Sequence, residues 1–85
     1  MALTKRFDIF ETRVEGFSGT LTDLLEHLKE RYGFFLTDLY QAESADLLSA
    51  LIIMINGRHI AHVGGLNAFV AEGDIVTIFP LVGGG

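Results

Sequence analysis

Leu51-Ile52-Ile53-Met54-Ile55-Asn56-Gly57 is the stretch on which the reading of this chain turns. Its apolar run is far too short to span a bilayer, and its isoleucines are β-branched, so it suits a central, buried strand. Asn-Gly is the strongest short signal for a hairpin, because the favoured two-residue turn needs positive φ at both central positions. A return strand is therefore expected to begin at Arg58-His59-Ile60. Downstream, Gly64-Gly65 marks a loop and Glu72-Gly73-Asp74 a tight turn. Ile75-Val76-Thr77-Ile78-Phe79 then reads as the last strand. Pro80 has no N–H to give to a ladder, so pairing is expected to weaken there.

Upstream lies the clearest helix, expected over about Leu21 to Tyr32. Leu21, Leu24, Leu25 and Leu28 recur at i, i+3, i+4 and i+7, which places them on one stripe. Thr20 and Asp23 have capping-box spacing, with Asp in place of the usual Glu. Asp23 and Glu26 come early while Lys29 and Arg31 come late, as the helix dipole prefers. Gly33 is a natural stop. With Leu25 in the core, Leu25→Ala would cost about 2 to 5 kcal/mol. Between helix and strand, Leu36, Leu39 and Tyr40 suit a short helical turn, and Gln41 to Asp46 a loop. Phe7 to Phe10 and Thr12 to Phe17 read as extended, either as a hairpin with an unmarked turn or as one long strand. The order of elements predicts an α+β domain: an antiparallel-rich sheet with one main helix packed on one face.

The chain has 85 residues, enough for one small domain and too few for a deep internal cavity. Hydrophobic residues make up 49% of it, and the mean hydropathy is +0.41. So small a body with that composition is expected to leave apolar surface exposed for a partner. The net charge of -5 argues against nucleic acid and against anionic membrane surfaces. The absence of cysteine excludes disulfides, thiolate metal sites and a cysteine nucleophile. No apolar stretch of signal-peptide length opens the sequence, so a cytoplasmic location is expected.

Gly83-Gly84-Gly85 closes the sequence straight after the last strand and a stiff Pro80. Glycine lacks a Cβ, so such a tail can lie in a narrow channel. Residues 81–85 reach about 17 Å when extended, at roughly 3.3 to 3.6 Å per residue. That length can thread a terminal carboxylate into another protein's active site. A carboxylate is a poor electrophile and needs activation, for example as an acyl-adenylate. Nothing in this chain looks like an ATP site: Gly64-Gly65 lacks the Lys-Ser/Thr of a phosphate loop and its strand-to-helix setting. The expected organisation is a domain over residues 1–80 and a Gly-rich tail over residues 81–85.

Phe79-Pro80-Leu81-Val82-Gly83-Gly84-Gly85 resembles the C-terminal motif of ubiquitin-like sulfur carriers, the molybdopterin synthase small subunit and the thiamine-pathway carrier among them. Ile55-Asn56-Gly57, Gly65-Leu66 and Glu72-Gly73-Asp74-Ile75-Val76 resemble the same family's upstream pattern. The resemblance is specific over residues 51–85, loose over the helix and weak over the first 17 residues. It implies a β-grasp (ubiquitin-like) fold with a mixed sheet. It also implies a carrier rather than an enzyme, with no bound cofactor and no metal. An E1-like adenylyltransferase would use ATP and Mg to activate Gly85, which then becomes a thiocarboxylate. Gly83 and Gly84 would form the slim tail. Phe79, Pro80, Leu81 and Val82 would meet partners, including a sulfur-accepting synthase subunit. Leu81 stands where the family has a second Pro, which leaves the tail less stiff. Phe-Pro-x-Val leans toward the molybdopterin branch over thiamine or cysteine and methionine synthesis. Two rival readings share the fold: a protein modifier joined to lysines, and an interaction domain with an inert tail.

Other side chains offer less. His59 and His62 would point to opposite faces of a strand-like stretch, which does not suit a metal pair. His27 on the helix is expected to be solvated, and Arg58 to be a solvated turn residue. Glu11, Glu15, Asp23, Glu26 and Glu30 are not paired by any spacing that suggests acid–base catalysis.

Overall fold

The computed structural model describes residues 2–6, 9–33 and 51–80. The helical turn and loop expected between Phe34 and Asp46 lie outside the described residues.

Among the described residues, seven strands and one α-helix form. They are β1 (Leu3–Arg6), β2 (Ile9–Arg13), β3 (Gly19–Thr20), α1 (Leu21–Tyr32), β4 (Leu51–Ile55), β5 (Arg58–His59), β6 (Phe69–Val70) and β7 (Ile75–Pro80). The main sheet has the order β1-β2-β7-β4-β5, and β3 pairs with β6 in a separate two-stranded ribbon. Each pairing between these strands is antiparallel, so the parallel component of a mixed sheet does not occur among the described residues. The N-terminal segment forms a hairpin, with Arg6 opposite Ile9 and Leu3 opposite Thr12. Its strands are Leu3–Arg6 and Ile9–Arg13, displaced from the expected Phe7–Phe10 and Thr12–Phe17.

Helix α1 has the expected ends. The Asp23 amide donates to Thr20 Oγ1 (3.2 Å) and the Thr20 amide donates to Asp23 Oδ2 (3.3 Å), a reciprocal capping box. At the other end Gly33 sits at φ 65° and its N–H donates to the Lys29 carbonyl, a backbone state that favours glycine. Leu21, Leu24 and Leu28 are fully buried. Each such side chain contributes about 1.5 to 3 kcal/mol of burial. Leu25 is only partly buried at the margin of the core, because its position turns it toward the edge of the stripe. The expected full core penalty for Leu25→Ala therefore passes to Leu24.

The sheet closes the core from the other side. Along β4, Leu51, Ile53 and Ile55 are buried; along β7, Val76 and Ile78 are buried. Thr12 and Val14 continue this inner face. Thr12, the buried polar side chain of the described core, donates its hydroxyl to the Ala2 carbonyl at 2.7 Å. Pro80 remains in register opposite Leu51, so the ladder runs one residue past the expected end. A terminal strand position tolerates the missing N–H.

The Asn56-Gly57 turn adopts φ 53° and 82°, between the paired residues Ile55 and Arg58. Asn56 also ties two turns together. Its Nδ2 donates to Asp74 Oδ1 (3.0 Å) and its Oδ1 accepts from the Ile75 amide (2.9 Å). After two residues the return strand passes into a 3-10 turn over Ile60–His62.

Two stability tests follow from this packing. Leu24→Ala is expected to cost about 2 to 5 kcal/mol and Leu25→Ala clearly less, as read from urea unfolding midpoints. Asn56→Ala is expected to cost about 1 to 3 kcal/mol through lost hydrogen bonds and a strained backbone. Asn56→Gly should recover part of that loss, because glycine keeps the positive φ.

Candidate functional site

Strand β7 is the middle strand of five, with β2 on one edge and β4 on the other. Its side chains alternate: Val76 and Ile78 face the helix, while Ile75, Thr77 and Phe79 face outward. Phe79 pairs with Ile52 of β4, and both are half-buried on the outer face. Met54, opposite Thr77, extends that face. On the other flank, Phe10 opposes Ile78, and the preceding residue Ile9 shares the outer face with Phe79. Ile9 is 43% exposed. An apolar outer surface of Ile9, Phe79, Ile52 and Met54 thus surrounds the end of the central strand.

Polar groups border it. Thr77 Oγ1 donates to Glu11 Oε2 at 3.4 Å. Thr4, Arg6, Ile9 and Glu11 line a shallow depression of about 280 Å³ beside it. The arrangement has the anatomy of a small interface, apolar at its centre and charged at its margin.

Of the expected site residues, Phe79 and Pro80 form the last two positions of β7, paired with Ile52 and Leu51. Leu81, Val82, Gly83, Gly84 and Gly85 lie outside the described residues. Ile9, Ile52 and Met54 were not singled out by motif. Period-two reading of β4 carries the signal for two of them: a strand apolar at every position has an apolar outward face. Ile9 lacked such a signal, because its face depends on where the hairpin turns.

The histidines differ from expectation. His59 ends β5 and His62 lies in the 3-10 turn, so the stretch is not a continuous strand and the rings approach to 6.3 Å. His59 Nδ1 accepts the Ala61 amide at 3.0 Å and serves as a cap. His27 is half-buried and packs against the Phe17 ring at 5.4 Å. Among the described residues no group of three metal-ligating side chains comes together. No helix among them is long and apolar enough to cross a membrane.

Comparison with known proteins fits this architecture. The ThiS family matches residues 6–85. Small archaeal modifier protein 3 of Haloferax volcanii is 30% identical over 66 residues, covering 78% of this chain and 70% of that protein. No solved structure matches the chain. A helix on one face of a five-stranded sheet, with the family match spanning nearly every element, leads to one conclusion: the chain belongs to the ThiS family and carries its β-grasp, ubiquitin-like fold.

Proposed function

We propose that this chain is a sulfur carrier whose Gly85 carboxylate is activated by a partner and then bears the sulfur. The observation that carries the reading is the placement of Phe79-Pro80 at the end of the central strand. In sequence Leu81-Val82-Gly83-Gly84-Gly85 follow directly on Pro80, and Phe79 belongs to the apolar outer face. ThiS-family members are small carriers that work with E1-like and synthase partners, which supports the same reading.

The chemistry needs little from the carrier beyond delivery. In the proposed cycle the Gly85 carboxylate oxygen attacks the α-phosphorus of ATP held by an E1-like adenylyltransferase, and pyrophosphate leaves. Mg bound with the ATP offsets the phosphate charge. A partner-held sulfide equivalent then attacks the carbonyl carbon, and AMP departs with the C–O electron pair. The product is a terminal thiocarboxylate, a competent sulfur nucleophile. Gly83 and Gly84 admit the tail to the partner's channel because they add no side-chain bulk. Phe79, with Ile52 and Ile9, docks the body, and Pro80, Leu81 and Val82 set the exit of the tail. The acceptor we favour is a precursor of molybdopterin, on the strength of Phe-Pro-x-Val.

A second reading is favoured by one finding: the similar Haloferax protein is named a modifier. In that use a lysine amine attacks the same activated Gly85 carbonyl, and an isopeptide bond forms in place of the thiocarboxylate.

The test is intact-mass spectrometry of the chain after incubation with ATP, an E1-like enzyme and a sulfur donor. A mass gain equal to sulfur replacing oxygen is expected, and its absence from the chain while adducts form on other proteins would favour the modifier reading. Deleting Gly84-Gly85 is expected to abolish both products. Phe79→Ser should lower kcat/KM for transfer by about tenfold, the loss of roughly 1.4 kcal/mol typical of an aromatic anchor.

A further inference from the structure

The hairpin turn that joins β4 to β5 sets a side-chain amide, Asn56, directly before a glycine. An asparagine amide carbon can be attacked by the backbone nitrogen of the next residue, and glycine crowds that approach least because it lacks a Cβ. Asparagine counts among the thermolabile residues. The other asparagine, Asn67, precedes Ala68, whose methyl group hinders the same attack. Asn56 and Gly57 are both exposed, and nothing lies within 4 Å of the place a Gly57 Cβ would occupy. The turn nitrogen is therefore open to water.

The fold restrains this chemistry at two atoms. Asn56 Nδ2 donates to Asp74 Oδ1 (3.0 Å), and Asn56 Oδ1 accepts from the Ile75 amide (2.9 Å). Both ends of the side-chain amide are thus turned across the joint toward the start of β7. Its carbon swings onto the Gly57 nitrogen only after these bonds open. Asp74 is itself held, because its Oδ2 accepts the Ala71 amide at 2.9 Å. Among the described residues Asn56 is the one non-glycine at positive φ, and its N–H donates to the Ile75 carbonyl at 2.8 Å.

We propose that Asn56 is a site of spontaneous deamidation whose rate is set by Asp74, and whose product opens the joint between the hairpin and β7. The Gly57 nitrogen gives its proton to water and bonds to Asn56 Cγ. The Cγ–Nδ2 bond breaks, and the nitrogen leaves as ammonia with that electron pair and a proton. Water then adds to one of the two carbonyl carbons of the cyclic imide, and the bond from that carbon to the Gly57 nitrogen breaks. Cleavage at Cγ leaves aspartate; cleavage at the backbone carbonyl leaves isoaspartate. No oxidant or reductant takes part. Either product has lost the Nδ2 donor, and a carboxylate only accepts. A negative group then faces Asp74 Oδ1 where a donor stood, and the two repel. Isoaspartate also adds a methylene to the main chain between the paired residues Ile55 and Arg58.

The test ages the purified full chain, warm and at mildly alkaline pH, beside a capped Ile55-Asn56-Gly57-Arg58-His59 pentapeptide, with peptide mapping by mass spectrometry. A mass gain equal to oxygen replacing N–H is expected at Asn56 before Asn67, about tenfold or more slower in the folded chain than in the pentapeptide, as two hydrogen bonds must open. Asp74→Ala should speed the reaction at Asn56 about twofold to tenfold and leave Asn67 unchanged, which separates loss of this bond from general loosening. Asn56→Asp should melt below the native chain, and adding Asp74→Asn should recover part of the loss. The comparison of native chain with pentapeptide needs no variant to fold. Equal rates in chain and pentapeptide, modification of Asn67 first, an unchanged rate in a folded Asp74→Ala chain, or an Asn56→Asp melt equal to the native one would each overturn the proposal.

Discussion

Hydrogen bonding along both edges of Ile75–Pro80 is the constraint on which the molecule depends. With β2 on one side and β4 on the other, this strand has its backbone groups engaged over nearly its whole length. Its inward side chains, Val76 and Ile78, meet the leucine stripe of α1, so the ladder and the hydrophobic core reinforce each other. A strand so held cannot shift by one residue without exposing that whole face to water. The consequence is that the direction in which the chain leaves at Pro80 is fixed by the entire domain. The proposed carrier role calls for this, because a tail delivered from a wobbling base would lose effective concentration at a partner's active site.

The two sides of the sheet divide the work. The inner side supplies stability through Val14, Leu51, Ile53, Ile55, Val76, Ile78 and the helix leucines. The outer side leaves Ile9, Ile52, Met54 and Phe79 in partial contact with water around the root of the tail. Such surface costs solubility unless a partner covers it. The charged residues at its margin, Arg6 and Glu11, and the net charge of -5 offset that cost.

Much of this was readable in the sequence where local chemistry and global packing agree. The helix from Leu21 to Tyr32 was legible because cap, stripe and stop coincide. The hairpin at Asn56-Gly57 was legible because few residues tolerate those backbone angles. Leu3–Arg6 was not, since an edge strand with exposed Thr4, Lys5 and Arg6 shows no alternation. Gly19–Thr20 and Phe69–Val70 are too short to display any period, and their pairing is set by the docking of α1 against the loop that follows β5. The proximity of His59 and His62 escaped for the same reason: a 3-10 turn breaks the strand between them. Of the candidate site, the motif exposed Phe79 and Pro80, while Ile9 became part of it only once the hairpin register was known.

The bond from Thr12 to the Ala2 carbonyl has a practical consequence. It pins the entry of the chain beside Leu3, which lies opposite Thr12, and Thr12 in turn opposes Val76 near the start of the central strand. Entry and exit therefore sit at opposite poles of the fold. A fluorophore, affinity handle or fused domain placed ahead of Ala2 attaches at the end of the sheet remote from Pro80, so the molecule can be tethered to a surface by its front without covering the end of the central strand.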